Sequence, residues 1–203
     1  MQKVDLKKEL KHLYSPSAHE VNVVQVPTMN ALMVDGEGDP NSSVPFGQAT
    51  EALMGMSYTL KFMSKQQEER DYTVLPLEGL WWADDMAVFR WGSKADWRWT
   101  LLVLQPDWIT PAMFDQARQE LSRKKKPPAL PKLRFQPFEE GLAAQILHMG
   151  PYATEGPTID RLHHFIQENG YQFRGAHHEI YLGDPRRTPP ERLRTVLRQP
   201  IAQ

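Results

Sequence analysis

Near the C-terminus, apolar and polar residues alternate through His177-His178-Glu179-Ile180-Tyr181-Leu182. That period of two predicts a β-strand with Ile180 and Leu182 on one face and Glu179 beside Tyr181 on the other. The same reading along the chain gives a short polar helix over residues 5–13, stopped by Ser15-Pro16-Ser17, then an extended run from Val21 to Val26 that ends at Pro27. A strand from Asn30 closes in the turn residues Gly36-Glu37-Gly38-Asp39-Pro40. Phe46, Leu53, Met56, Leu60 and Met63 recur at helical spacing and predict a helix over residues 44–64. Strands follow over 72–82 and 97–105, joined by a polar loop through Asp84 and Asp85, and a helix over 111–126 runs into Lys126-Pro127-Pro128-Ala129-Leu130-Pro131.

Beyond this proline-broken connector the order returns: a strand over 142–148, a helix over 154–169, and strands over 173–182 and 193–199. The repetition reaches individual residues, because Arg98 to Pro106 can be laid on Arg192 to Pro200 with the initial Arg and the closing Gln-Pro in common, and Leu80-Trp81-Trp82 then falls opposite Ile180-Tyr181-Leu182. The expected fold is α+β, a pseudo-twofold pair of β-α-β-β modules with antiparallel sheet and a central ligand groove. As one domain over 1–203 it divides into an extension of residues 1–20 packed on an edge, a first half of about 21–126, the connector 127–131 and a second half of about 132–203.

Composition narrows what such a groove would take. The 203 residues carry a net charge of −1, so no overall field draws the chain to nucleic acid or an anionic membrane. Cysteine is absent, which removes disulfides, thiol nucleophiles and thiolate metal sites. The polar N-terminus and the lack of a long apolar run predict a cytoplasmic protein without a membrane span. Six tryptophans, including Trp81-Trp82 and Trp97-Arg98-Trp99, point to an aromatic pocket with one acid in it.

These residues resemble the GyrI-like small-molecule-binding family, whose domain also forms the drug-sensing half of multidrug-responsive transcription activators. The resemblance spans nearly the whole chain and is carried by Lys7 to Tyr14, Asp35 to Asn41, Ser57 to Met63, Pro76 to Trp82 and His178 to Leu182. It implies the duplicated module, an SHS2-like repeat, and a stand-alone member of the family. In drug-sensing relatives the acid of the His-Glu-Ile-Tyr-Leu-type strand pairs with cationic aromatic drugs in the pocket, a role that maps onto Glu179. Some stand-alone relatives hydrolyse the strained cyclopropane of DNA-alkylating antibiotics, which makes a detoxifying cyclopropanase a possibility for this chain.

Glu179 suits either role. Near aromatic walls a carboxylate attracts a cation more strongly than in water, and stacking or cation–π contacts add roughly 0.5–2 kcal/mol each. As a base it would take a proton from water attacking a ring carbon while Tyr181 hydrogen-bonds or positions that water. Glu179 and Tyr181 are therefore the candidate catalytic residues, and Trp81, Trp82, Trp99, Tyr58 and Tyr152 join them as ligand-binding candidates. Strand alternation sends Trp81 and Trp82 to opposite faces and assigns Trp81 to the groove, although a bulge near Gly79 would exchange them. Trp99 shares a face with Leu101 and Val103, and Tyr58 lies on the long helix, so core packing competes with ligand contact at both.

No cofactor and no metal is expected. Adjacent histidines at 163–164 and 177–178 diverge and lack a ligand spacing, and the acidic turn at Asp35 lacks the oxygen set for calcium. Arg123 to Lys126 reads as a solvated helix end. The expected partner is a small molecule, with no nucleic acid and no membrane. The first alternative is a non-catalytic module that binds, sequesters or senses drugs. A protein-interaction module like the gyrase-inhibiting relative ranks below it. The segment before the domain is too short for a winged DNA-binding module.

Overall fold

The computed structural model describes residues 3–40, 43–83 and 97–203. Its strands are β1 (Lys3–Val4), β2 (Asn22–Val26), β3 (Met29–Glu37), β4 (Asp71–Tyr72), β5 (Glu78–Trp82), β6 (Arg98–Gln105), β7 (Arg134–Phe138), β8 (Gly141–Met149), β9 (Gln172–Phe173), β10 (His177–Tyr181) and β11 (Arg194–Ala202). Its helices are α1 (Leu6–Glu9), α2 (Lys11–Tyr14), α3 (Val44–Gln67), α4 (Pro111–Lys124) and α5 (Gly156–Glu168). The chain forms two compact units, one of Met1–Leu6 with Met29–Phe138 and one of Lys7–Thr28 with Glu139–Gln203.

In the first unit the strands lie in the order β5-β6-β3-β7, each antiparallel to its neighbour. Helix α3 starts where Ser43 Oγ accepts from the Phe46 N–H, with a proline in the first turn where its missing donor costs nothing. Its buried residues Leu53, Met56, Leu60 and Met63 form the stripe that the spacing predicts, and they seat the helix on β3 and β6. Thr110 caps α4 in the same way, accepting from the Met113 N–H at 3.2 Å.

In the second unit the order is β2-β8-β11-β10, again antiparallel, with β9 on the far end of β11. Helix α5 sits on β8 and β11, where Leu162 and Ile166 pack with Ala144, Ile146, Leu197 and Ile201. The opposite sheet face carries a buried ionic group. The Arg198 guanidinium donates to Gln145 Oε1 at 3.0 Å, to Glu140 Oε2 at 2.9 Å and to the Leu13 carbonyl at 2.8 Å, and His178 Nδ1 lies 2.8 Å from Glu140 Oε1. A buried cation is tolerable only when so fully paired. Burial pushes the Glu140 carboxyl up, but the charges of His178 and Arg198 outweigh it and bring it down to about 2.

The α+β class and the duplicated module are what the sequence predicts: β3-α3-β5-β6 is repeated as β8-α5-β10-β11, with β6 and β11 each central in its own module. The boundaries differ. Residues 22–26, expected in the first half, pair as β2 with β8 in the second unit, and residues 134–138, expected in the second half, pair as β7 with β3 in the first. The strand that precedes each module in sequence thus pairs in the other unit, and a period of two in sequence does not reveal a strand's partner. The N-terminal segment also supplies the Leu13 and His12 carbonyls that accept from Arg198 and Gln145. The strand expected over 72–82 divides into β4 and β5 around Pro76, and that expected over 173–182 into β9 and β10 around Gly175, whose φ is +62°. Asn41 and the loop through Asp84 and Asp85 lie outside the described residues.

Candidate functional site

Paired residues on neighbouring strands point to the same face, so the register locates each candidate side chain. Tyr181 pairs with Thr195, which pairs with His148, and Glu179 pairs with Leu197, which pairs with Ile146. Glu179 and Tyr181 therefore lie on the face that carries α5, while Ile180 and His178 lie on the face of Arg198. Ile180 is buried, as the alternation predicts. The Glu179 face is not a plain solvated surface, because the side chain keeps only 15% of its exposure.

Around Glu179 the contacts are polar and aromatic. The Tyr181 hydroxyl donates to Glu179 Oε2 at 2.8 Å, and His177 Nε2 stands 3.6 Å from Oε1. The Tyr152 ring meets the Tyr181 ring edge-on at 5.6 Å between centroids. Tyr152 belongs to the short turn Tyr152–Thr154, and His148 ties that turn to the sheet. His148 Nε2 lies 3.3 Å from Thr154 Oγ1 and 3.4 Å from the Pro151 carbonyl, and its Nδ1 lies 3.0 Å from Thr158 Oγ1 on α5. Burial pushes the Tyr152 phenol up to about 12, helped by the negative charges of Glu155, Glu179 and Asp184. Burial lowers the His148 imidazole, against the opposing pull of the Pro151 carbonyl and the Glu179 charge. Both rings are thereby held neutral beside the carboxylate.

The remaining candidates belong to the first unit. Trp81 pairs with Trp99 in an unbroken register from Glu78–Leu102 to Trp82–Arg98, so no bulge at Gly79 exchanges the tryptophans. Trp81 and Trp99 are 3% and 0% exposed, and both lie against Phe46 of α3, stacked at 6.0 Å and edge-on at 5.3 Å. Trp97 adds an edge contact to Trp81 at 5.7 Å. Half-buried Trp82 points to the other face of β5. Tyr58 is on the outer side of α3, exposed and 6.5 Å from the Phe62 ring. The structure thus brings Glu179, Tyr181 and Tyr152 together in one unit and Trp81 with Trp99 in the other. Tyr58 belongs to neither cluster.

Sequence reasoning missed His148 and Phe46, and it weighed His177 only as a metal ligand. Neighbouring histidines do diverge here: His178 turns to Glu140 and His177 to Glu179. The signal available for His177 was its place two residues before Glu179 on one strand face. Among the described residues, no group of three or more histidine, aspartate or glutamate side chains is placed to hold a metal ion. No described helix is long and apolar enough to cross a membrane.

The molecule is thus a pair of β-α-β-β modules with an acid–phenol pair on the second. The chain belongs to the GyrI-like family: the model of the GyrI-like small molecule binding domain matches residues 19–202. An uncharacterized conserved protein from Listeria innocua is 36% identical over 98% of this chain and all of its own, with a TM-score of 0.90. A hydrolase from Listeria innocua is 37% identical over 99% of this chain and all of its own, with a TM-score of 0.87. The C-terminal domain of EcmrR, 11% identical, shares the fold at a TM-score of 0.56 over 91% of this chain and 98% of that domain. Among curated proteins no match is found.

Proposed function

We propose that the Glu179 face receives a bulky, planar, apolar or cationic small molecule and adds water to a strained electrophile, with cyclopropane-bearing alkylating agents as the substrate class. The observation that carries this reading is the 2.8 Å bond from the Tyr181 hydroxyl to Glu179 Oε2. It engages one carboxylate oxygen and leaves the other to accept from a water molecule, which is what a general base needs. The edge-on pair of Tyr152 and Tyr181 offers an aromatic wall beside it. The Listeria innocua relative described as a hydrolase is consistent with the same chemistry.

In the reaction, Glu179 takes a proton from water as its oxygen bonds to the less hindered cyclopropane carbon. The strained carbon–carbon bond breaks, and its electron pair passes into the conjugated carbonyl of the substrate, which ends protonated as a phenol. Release of ring strain lowers the barrier, so one base and one fixed geometry are enough, and the net change is addition of one water. Incubating the purified protein with a cyclopropane-bearing alkylating antibiotic and following mass tests this directly. The expected product is heavier by one water and forms over many turnovers. Tight binding without mass gain would replace the hydrolase by a binding or sequestering module.

A further inference from the structure

The His177 side chain keeps only 11% of its exposure and both ring nitrogens are shut off from solvent, yet neither has a hydrogen-bond partner among the described residues. Such a group is costly to bury, and it calls for a reason. The ring lies on the same strand face as Glu179 and Tyr181, and its Nε2 is 3.6 Å from Glu179 Oε1. That separation is longer than a hydrogen bond but close enough to become one through a small side-chain adjustment. Catalytic hydrogen bonds are often long in an unliganded site and tighten in the complex.

The carboxylate has a matching need. Tyr181 holds Oε2, but a terminal carboxylate torsion is broad, so one bond leaves the plane of the group free to turn. A second donor at Oε1 fixes that plane and leaves a lone pair of Oε1 for water, since each carboxylate oxygen accepts more than one bond. We propose that His177 is a positioning residue for Glu179: its Nε2–H donates to Oε1 when the site is engaged, completing a His177–Glu179–Tyr181 row along β10. This inference rests on the reading of Glu179 as the base.

Two measurements test it. His177→Leu removes the donor while keeping an apolar side chain of similar reach, and His177→Gln restores an N–H. With melting temperature checked for each variant, His177→Leu is expected to lower kcat about 10- to 100-fold with KM unchanged, and His177→Gln to recover part of the loss. The second measurement needs no turnover: in protein with nitrogen-15 histidine and a neutral aromatic probe bound, the His177 Nε2 resonance is expected to differ between wild type and Glu179→Gln. Wild-type kcat in a folded His177→Leu variant would overturn the proposal, and so would a His177 resonance indifferent to Glu179→Gln. If the wild-type protein has no hydrolase activity, the parent reading fails, and the resonance alone decides whether His177 engages Glu179.

Discussion

At the scale of the residue, alternation in one short strand was enough to put Glu179 and Tyr181 side by side, because strand geometry fixes faces without reference to the rest of the chain. It could not supply what surrounds them. Tyr152 arrives from a turn between β8 and α5, and His148, which holds that turn, comes from two strands away. The tryptophans show the same limit: Trp81 and Trp82 do separate to opposite faces, but that Trp81 shares Phe46 with Trp99 depends on where α3 lies. The Tyr181–Glu179 bond makes a sharp prediction. Tyr181→Phe keeps the ring against Tyr152 and removes only the hydroxyl, so kcat in the water-addition assay should fall about 10-fold or more with little change in stability. An unaltered kcat would show that the phenol does not orient the base.

At the scale of the element, the two helices and the central strands of each module were legible because each has its own period and its own punctuation. The partners of β2 and β7 were not. Both are short runs whose pattern suits any sheet edge, and pairing alone assigns β2 to the second unit and β7 to the first. Matching the modules by residue identity was nearly right. Trp81 pairs with Trp99, whereas Tyr181 pairs with Thr195 rather than Leu193, an offset of two that preserves faces. One glycine shows how tightly β3 and β6 fit. Gly36 pairs with Trp99, and a Cβ there would stand 2.1 Å from the indole ring. Gly36→Ala must displace a fully buried tryptophan, so urea unfolding should show a loss of about 1–3 kcal/mol. Wild-type stability would mean that the ring has room to move.

At the scale of the whole molecule, acid should act through Glu140. Its carboxyl is lowered from 4.5 to about 2 by His178 and Arg198, so its contribution is present above about 4.5 and is lost as pH falls through about 2. The shift corresponds to about 3 kcal/mol, large against the stability of an ordinary domain. Unfolding followed by urea at stepped pH should show stability falling across that window. Glu140→Gln should be destabilised already at pH 7, by about 3–5 kcal/mol, because Arg198 then stays buried without its counter-charge. Since Arg198 also holds the Leu13 carbonyl, hydrogen exchange in residues 7–28 should accelerate in the same variant. Exchange unchanged there would separate the ionic group from the anchoring of that segment.

Glu179 is proposed as the base that adds water to a strained ring. The most direct test compares Glu179→Gln with the wild-type protein, measuring turnover of a cyclopropane-bearing alkylating antibiotic and binding of a neutral aromatic probe on the same preparations. Turnover is expected to fall at least about 100-fold with probe affinity within twofold, because the amide keeps the shape and loses the base. Turnover at the wild-type rate in Glu179→Gln would contradict it and remove Glu179 from the chemistry.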